Sequence, residues 1–122
     1  MTSLSALGQI ALPVSDADRA EAFYGEKLGL PKLFRFGHLV FFDCGGVRLM
    51  LEGNSQEAGR TECVCLYYRV TGIERACQEL SDRGVPFDDA PHLVAKMPDH
   101  ELWMAFFRDP DRNLLALMEE KR

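Results

Sequence analysis

Apolar and polar positions along this chain change their period in a fixed order. LGQIALPV, residues 7–14, is a short run rich in branched side chains, the pattern of a strand. In SDADRAEAFYGEKLGL, residues 15–30, the spacing turns helical. Ser15 or Asp16 stands where an N-cap is needed, and Ala20, Phe23, Tyr24, Lys27 and Leu28 fall at i, i+3, i+4, i+7 and i+8. The stripe is interrupted only by a lysine whose stem can pack. Gly29 supplies the stop and Pro31 blocks continuation. GHLVFFDCGGVRLML, residues 37–51, reads as two strands joined at Asp43-Cys44-Gly45-Gly46.

The order then repeats. ECVCLYYRV, residues 62–70, is a strand, and Thr71-x-x-Glu74 is a capping box opening a helix with Ile73, Ala76, Cys77 and Leu80 on one face. Gly84 ends it and Pro86 follows. Val14, Ser15, Asp18, Arg19 and Ala20 recur as Val70, Thr71, Glu74, Arg75 and Ala76, and Phe41-Phe42 recur as Phe106-Phe107. Leu49-Met50-Leu51-Glu52 match Ala116-Leu117-Met118-Glu119. One unit is written twice, with module one spanning about 6–53 and module two about 62–120. The expected fold is α+β, two tandem βαβββ modules forming a curved sheet pair. Each helix covers one face of its sheet, and the remaining faces are expected to meet around a cleft suited to a small ligand.

Composition narrows the function classes. A chain of 122 residues is the size of one ordinary domain. Its formal net charge of -5 and lack of clustered Lys and Arg argue against nucleic acid. No apolar run approaches the roughly 20 residues of a membrane span, and no leader is visible at the N-terminus, so a cytoplasmic location is expected and no membrane partner. Cys44, Cys63, Cys65 and Cys77 follow no CxxC spacing and read as reduced packing thiols.

Gln9-Ile10-Ala11-Leu12-Pro13-Val14, Ala22-Phe23-Tyr24, Leu28-Gly29-Leu30, Asp109-Pro110-Asp111 and Asn113-Leu114-Leu115-Ala116-Leu117 together resemble the vicinal oxygen chelate superfamily. This is the glyoxalase, bleomycin-resistance and extradiol-dioxygenase group. The resemblance implies paired βαβββ modules, commonly assembled as homodimers, and a divalent metal held by His, Gln or Glu on the first and last strand of each module. Such an ion binds neighbouring substrate oxygens and stabilises an enediolate or activates dioxygen. Carried over, those positions are Gln9, Met50, Cys65 and Ala116. Met50 and Ala116 offer no oxygen, so the standard site is incomplete and no metal cofactor is expected there. Glu52, two residues beyond Met50, is the alternative ligand beside Gln9.

The segment APHLVAKMPDHELW, residues 90–103, lengthens the second copy and holds two of the three histidines and the only tryptophan. It is either a functional loop or a longer strand pair. His92 and Lys96 alternate on a strand and would share one face, able to hold an anionic oxygen if that face borders a ligand; otherwise they are a loop-edge imidazole and a solvated ammonium. Trp103, Phe34, Phe36 and Phe41 are candidate aromatic walls. The run 102–107 is apolar on both sides, so alternation does not say which side faces a ligand. The candidate ligand-binding set is Gln9, Met50, Glu52, Cys65, His92, Lys96 and Trp103, with His92 the candidate for catalysis. The expected function is a small-molecule enzyme of the lyase, isomerase or dioxygenase type, the alternative a metal-independent sequestering protein of the bleomycin-resistance type.

Overall fold

The computed structural model describes residues 4, 6–60 and 64–122. Cys63, and Glu62 at the start of the expected fifth strand, lie outside the described residues. The chain divides into two compact units, 1–59 and 60–122.

In the first unit, β1 (Gln9–Pro13) leads through α1 (Ala17–Glu21) to β2 (Lys32–Phe36), β3 (Leu39–Cys44) and β4 (Val47–Glu52). The sheet runs β1-β4-β3-β2, with β1 parallel to β4 and the other pairs antiparallel. Leu12, Val14, Val40, Phe42, Leu49 and Leu51 are buried on the face beneath the helix, together with Ala17, Ala20, Phe23 and Tyr24. Asp16 caps the helix, accepting from the Arg19 backbone N at 3.1 Å. After Glu21 the helix widens into a π-helix over Ala22–Lys27, and the Leu28 N–H reaches back five residues to the Phe23 carbonyl at 2.9 Å. The wider turn carries Lys27 out to solvent, so the helical stripe stops at Tyr24, short of the spacing read from the sequence.

Gly45 and Gly46, both at positive φ (65° and 96°), form the two-residue hairpin turn that the glycine pair predicts. Gly53 answers to a different constraint: a Cβ there would lie 2.6 Å from the Ala17 Cβ and 2.8 Å from the His38 carbonyl, so only glycine lets β4 end against the helix. The edge strand β2, KLFRF, is exposed throughout and so carries no apolar alternation that would mark it as a strand.

The second unit repeats the topology. β5 (Cys65–Arg69), α2 (Ile73–Asp82), β6 (His92–Lys96), β7 (Glu101–Arg108) and β8 (Leu114–Lys121) form a sheet ordered β5-β8-β7-β6. Ile73, Cys77 and Leu80 pack from α2 toward Ala105, Phe107, Leu115 and Leu117, with Val85 also buried.

The capping box does not form. The N-cap is Gly72, at φ 81°, one residue after Thr71, and it makes no side-chain cap. The Glu119 carboxylate reaches in from β8 instead, accepting from the Gly72 N–H at 2.8 Å and the Ile73 N–H at 2.9 Å. Glu74, the expected reciprocal partner, pairs with Lys121 at 2.6 Å.

The internal repeat needs one further correction. Register pairs Phe41 with Met50 and Phe106 with Ala116, so Phe41 corresponds to Phe106 and Met50 to Ala116. The sequence match of Glu52 with Glu119 is therefore one residue out of step: Glu52 corresponds to Met118, and Glu119 lies on the opposite face of its sheet. The slip arises at the hairpins, because Asp43 and Arg48 are paired across four intervening residues and their counterparts Arg108 and Leu114 across five. The extra residue is accommodated in the turn 109–113. There Asp109 accepts from the backbone N of Asp111 (2.9 Å) and Asn113 (2.8 Å) and from the Asn113 side chain (2.8 Å).

Candidate functional site

Each sheet has one face packed under its helix and one face free of it. Along β1 and β4 the helix takes Leu12, Leu49 and Leu51, so alternation turns Gln9, Ala11, Arg48, Met50 and Glu52 to the helix-free face. Phe41, opposite Met50, and Phe34, opposite Phe41, continue the same row.

The contacts on this face are specific. The Arg48 Nε donates to the Gln9 Oε1 at 2.8 Å, and the Gln9 Nε2 lies 3.8 Å from the Met50 sulfur. The Arg48 guanidinium carbon stands 5.3 Å from the centre of the Phe41 ring, a cation–π placement, and Phe34 stacks on Phe41 with centroids 4.4 Å apart. Asp43 is directly opposite Arg48 in the register, but its Oδ1 accepts from the Gly46 N–H at 2.9 Å in the hairpin turn. No ion pair joins Asp43 to Arg48 among the described residues.

On the second sheet the helix-free face carries Cys65, Tyr67 and Arg69 from β5, Ala116 and Met118 from β8, Met104 and Phe106 from β7, and His92 from β6. Tyr67 and Phe106 meet edge-on, centroids 6.4 Å apart, across the small Ala116, and the His92 ring lies 6.2 Å from Phe106. Burial pushes the Cys65 thiol up, against the opposing pull of Tyr67 and Arg108. The neighbouring Cys65 charge in turn raises the Tyr67 phenol.

Two members of the candidate set are turned away. A register shift between Leu93 and Ala95 reverses the alternation of β6, so His92 pairs with Met104 while Lys96 pairs with Glu101 on the helix side. His92 and Lys96 therefore do not share a face; the bulge absorbs one residue and flips the rest of the strand. Trp103 is also on the helix side, opposite Glu119, with its Nε1 donating to Glu101 at 3.1 Å and the Lys121 ammonium 4.5 Å above its ring. In the ambiguous run 102–107, Trp103, Ala105 and Phe107 face the helix, and Leu102, Met104 and Phe106 face away. His92 turns its Nδ1 to the Ala90 carbonyl at 3.2 Å, with Asp89 at 3.5 Å.

The residues at the four family positions do not fit a hard divalent cation. Gln9 brings the only side-chain oxygen, and that oxygen is already paired with a guanidinium, so an ion bound there would sit against a fixed positive charge. Met50 and Ala116 bring no oxygen, and Cys65 is held toward its protonated form. Glu52 gives no rescue. It pairs with Pro13, four residues along the strands from the Gln9–Arg48 pair, roughly 13 Å at the strand rise.

Sequence reasoning missed Arg48. Its signal was present: with Met50 two residues away and Gln9 on the neighbouring strand, period-two alternation puts all three on one side.

A hollow of about 440 Å³ in the first unit lies on the helix side, bordered by Asp18, Glu21, Gly25, Leu30, Lys32 and Phe42. Two of its three acids are engaged, since Arg35 bonds Asp18 (2.7 Å) and Glu21 (2.8 Å) and Lys32 bonds Glu21 (3.0 Å); the third is the exposed Glu26. The helix-free faces hold the family positions together with polar groups that have hydrogen-bonding capacity to spare, and they are the candidate site.

Among known proteins, the family model for the Glyoxalase/Bleomycin resistance protein/Dioxygenase superfamily matches residues 6–117. The chain is 28% identical to the uncharacterized protein YraH of Bacillus subtilis, over 89% of this chain and 94% of that one. It is 26% identical to the crystal structure of lactoylglutathione lyase from Agrobacterium tumefaciens, with a TM-score of 0.71 and coverage of 95% and 94%. A glyoxalase/bleomycin resistance protein/dioxygenase structure from Alicyclobacillus acidocaldarius shares the fold at a TM-score of 0.78 and 22% identity, over 94% of this chain and 91% of that one. Two sheets of identical strand order, each with a helix on one face, and a family match across nearly the whole chain lead to one conclusion: this chain belongs to the Glyoxalase/Bleomycin resistance protein/Dioxygenase superfamily.

Proposed function

We propose that the protein binds a small organic molecule on the helix-free sheet faces, without a divalent ion at the family's usual ligand positions. The observation that carries this reading is the Gln9–Arg48 hydrogen bond, which commits the one oxygen donor of the standard set to a cation. Aromatic and thioether surface adjoins it on the same sheet face, from Phe34, Phe41 and Met50, and the helix-free face of the second sheet is of like composition, with Tyr67, Phe106, Met104 and Met118. Such surface with a few placed polar groups is the usual composition of a small-molecule site. A cytoplasmic homodimer is the setting we infer for it, in keeping with the common assembly of the superfamily.

An enzyme of the lyase, isomerase or dioxygenase type is the second reading, favoured by one observation. With Nδ1 turned to the Ala90 carbonyl, Nε2 is the His92 ring nitrogen left to exchange a proton with a ligand beside Phe106. A thermal-shift screen run with and without chelator tests the main reading. A ligand at 100 times its dissociation constant raises stability by about 2.7 kcal/mol, unchanged by chelator. Stabilisation by a divalent metal that chelator reverses would favour the enzyme reading.

A further inference from the structure

We propose that Arg48, oriented by Gln9, is the anchor for a carboxylate, so that the ligand of the first sheet's helix-free face is a small planar monocarboxylic acid. This rests on the reading of that face as a small-molecule site and names its ligand class.

Arg48 is a cation with its hydrogen-bonding capacity mostly unspent. A guanidinium carries five N–H donors, and here the Nε–H alone is used, by Gln9. Its cross-strand acid, Asp43, bonds the turn backbone at Gly46, and no carboxylate lies within ion-pair distance of Arg48 among the described residues. What remains is the Nη1–Nη2 edge, whose two parallel N–H groups match the two oxygens of a carboxylate.

The edge is also fixed in direction. Gln9 holds the Nε and the Phe41 ring supports the guanidinium from one side, so little rotamer freedom remains to be lost on binding. Met50, beside the Gln9 amide, and the half-exposed Phe34, 46% accessible and stacked on Phe41, lie on the same face and offer apolar surface to the body of the acid. The nearby charges on this face are Asp43, already hydrogen-bonded, and Glu52, four residues further along β4. Both temper the anion's affinity; neither occupies the guanidinium edge. Where the family uses a metal to receive substrate oxygens, this face offers a permanently charged side chain.

The chain has five methionines, and Met50, Met104 and Met118 lie on the two helix-free faces, so methyl-13C methionine labelling reports binding on each sheet separately. The probes are benzoate, its neutral isostere benzamide, and benzylamine. Benzoate is expected to shift the Met50 methyl saturably and to bind about tenfold more tightly than benzamide. Arg48→Met should bring benzoate down to the benzamide level while leaving benzamide unchanged, and Arg48→Lys should not restore the preference. Gln9→Ala should weaken benzoate about threefold or more through loss of orientation. Unshifted Met104 and Met118 signals certify that each variant is folded. Equal binding of benzoate and benzamide, or preference for benzylamine, overturns the carboxylate assignment and leaves the small-molecule face standing. If none of the three moves Met50, Met104 or Met118, both readings fall.

Discussion

The Glu119 carboxylate on β8 closes the N-terminus of α2, with Oε1 accepting the Ile73 N–H at 2.9 Å while Oε2 accepts that of Gly72 at 2.8 Å. Two N–H groups that a helix start leaves without partners are thus satisfied by one anion placed at the positive end of the helix dipole. The cap comes from 46 residues away, so it also ties α2 to the sheet. Glu119→Ala should cost about 2 kcal/mol in urea unfolding, within the range for lost caps and charge-assisted hydrogen bonds. Thr71→Ala should cost less than about 0.5 kcal/mol. The reverse order would restore the capping box.

Asp109 is 4% exposed and organises the turn 109–113 through three accepted hydrogen bonds. Arg112, at φ 67°, is one of the few non-glycine residues at positive φ among those described. Arg112→Gly should therefore stabilise by up to about 1 kcal/mol, whereas Asp109→Ala should destabilise by about 2–3 kcal/mol. Thermal unfolding of the two variants checks both signs.

Stability should fall in acid through a small set of surface pairs. Hydrogen bonds from Arg35, then from Lys32, hold the Glu21 carboxyl below its ordinary value; Lys121 does so for Glu74, and His100 followed by Arg122 for Asp99. A carboxylate with a depressed folded-state pKa stabilises the fold above its unfolded pKa, and that contribution is lost as pH falls through the folded value. For Glu21 the loss begins below about pH 4.5. Because the pair is near the surface, Glu21→Gln should cost at most about 1 kcal/mol at pH 7 and nothing at pH 2. A cost independent of pH would mean that Glu21 acts through packing.

Most of the fold was legible because periodicity is a local property. The strand–helix–hairpin order, the Gly45-Gly46 turn and the Ile73, Cys77, Leu80 face follow from spacing alone. Three features depended on events that spacing does not record. The π-helix at Ala22–Lys27 widened one turn, the bulge between Leu93 and Ala95 flipped Lys96, and the longer turn at 109–113 shifted the repeat by one residue. Each changes which side a residue faces without changing its type. The site was less legible for a related reason. Family positions single out Gln9 and Met50, but Arg48 matches none of them, and its open guanidinium edge depends on Asp43 bonding the Gly46 N–H instead of pairing with it. Trp103 is the sole tryptophan, yet its indole is spent on Glu101 and Lys121.

The central claim is that Gln9 serves Arg48 and not a metal ion, and paramagnetic relaxation tests it most directly. Mn²⁺ added at one equivalent to methyl-13C methionine protein broadens any methyl within roughly a nanometre of a bound ion, and Met50 touches the Gln9 amide. The expected result is that Met50 and Met118 stay as sharp as in a chelator control, before and after Gln9→Ala. Selective loss of the Met50 signal at one equivalent, reversed by chelator and abolished in Gln9→Ala, would contradict it.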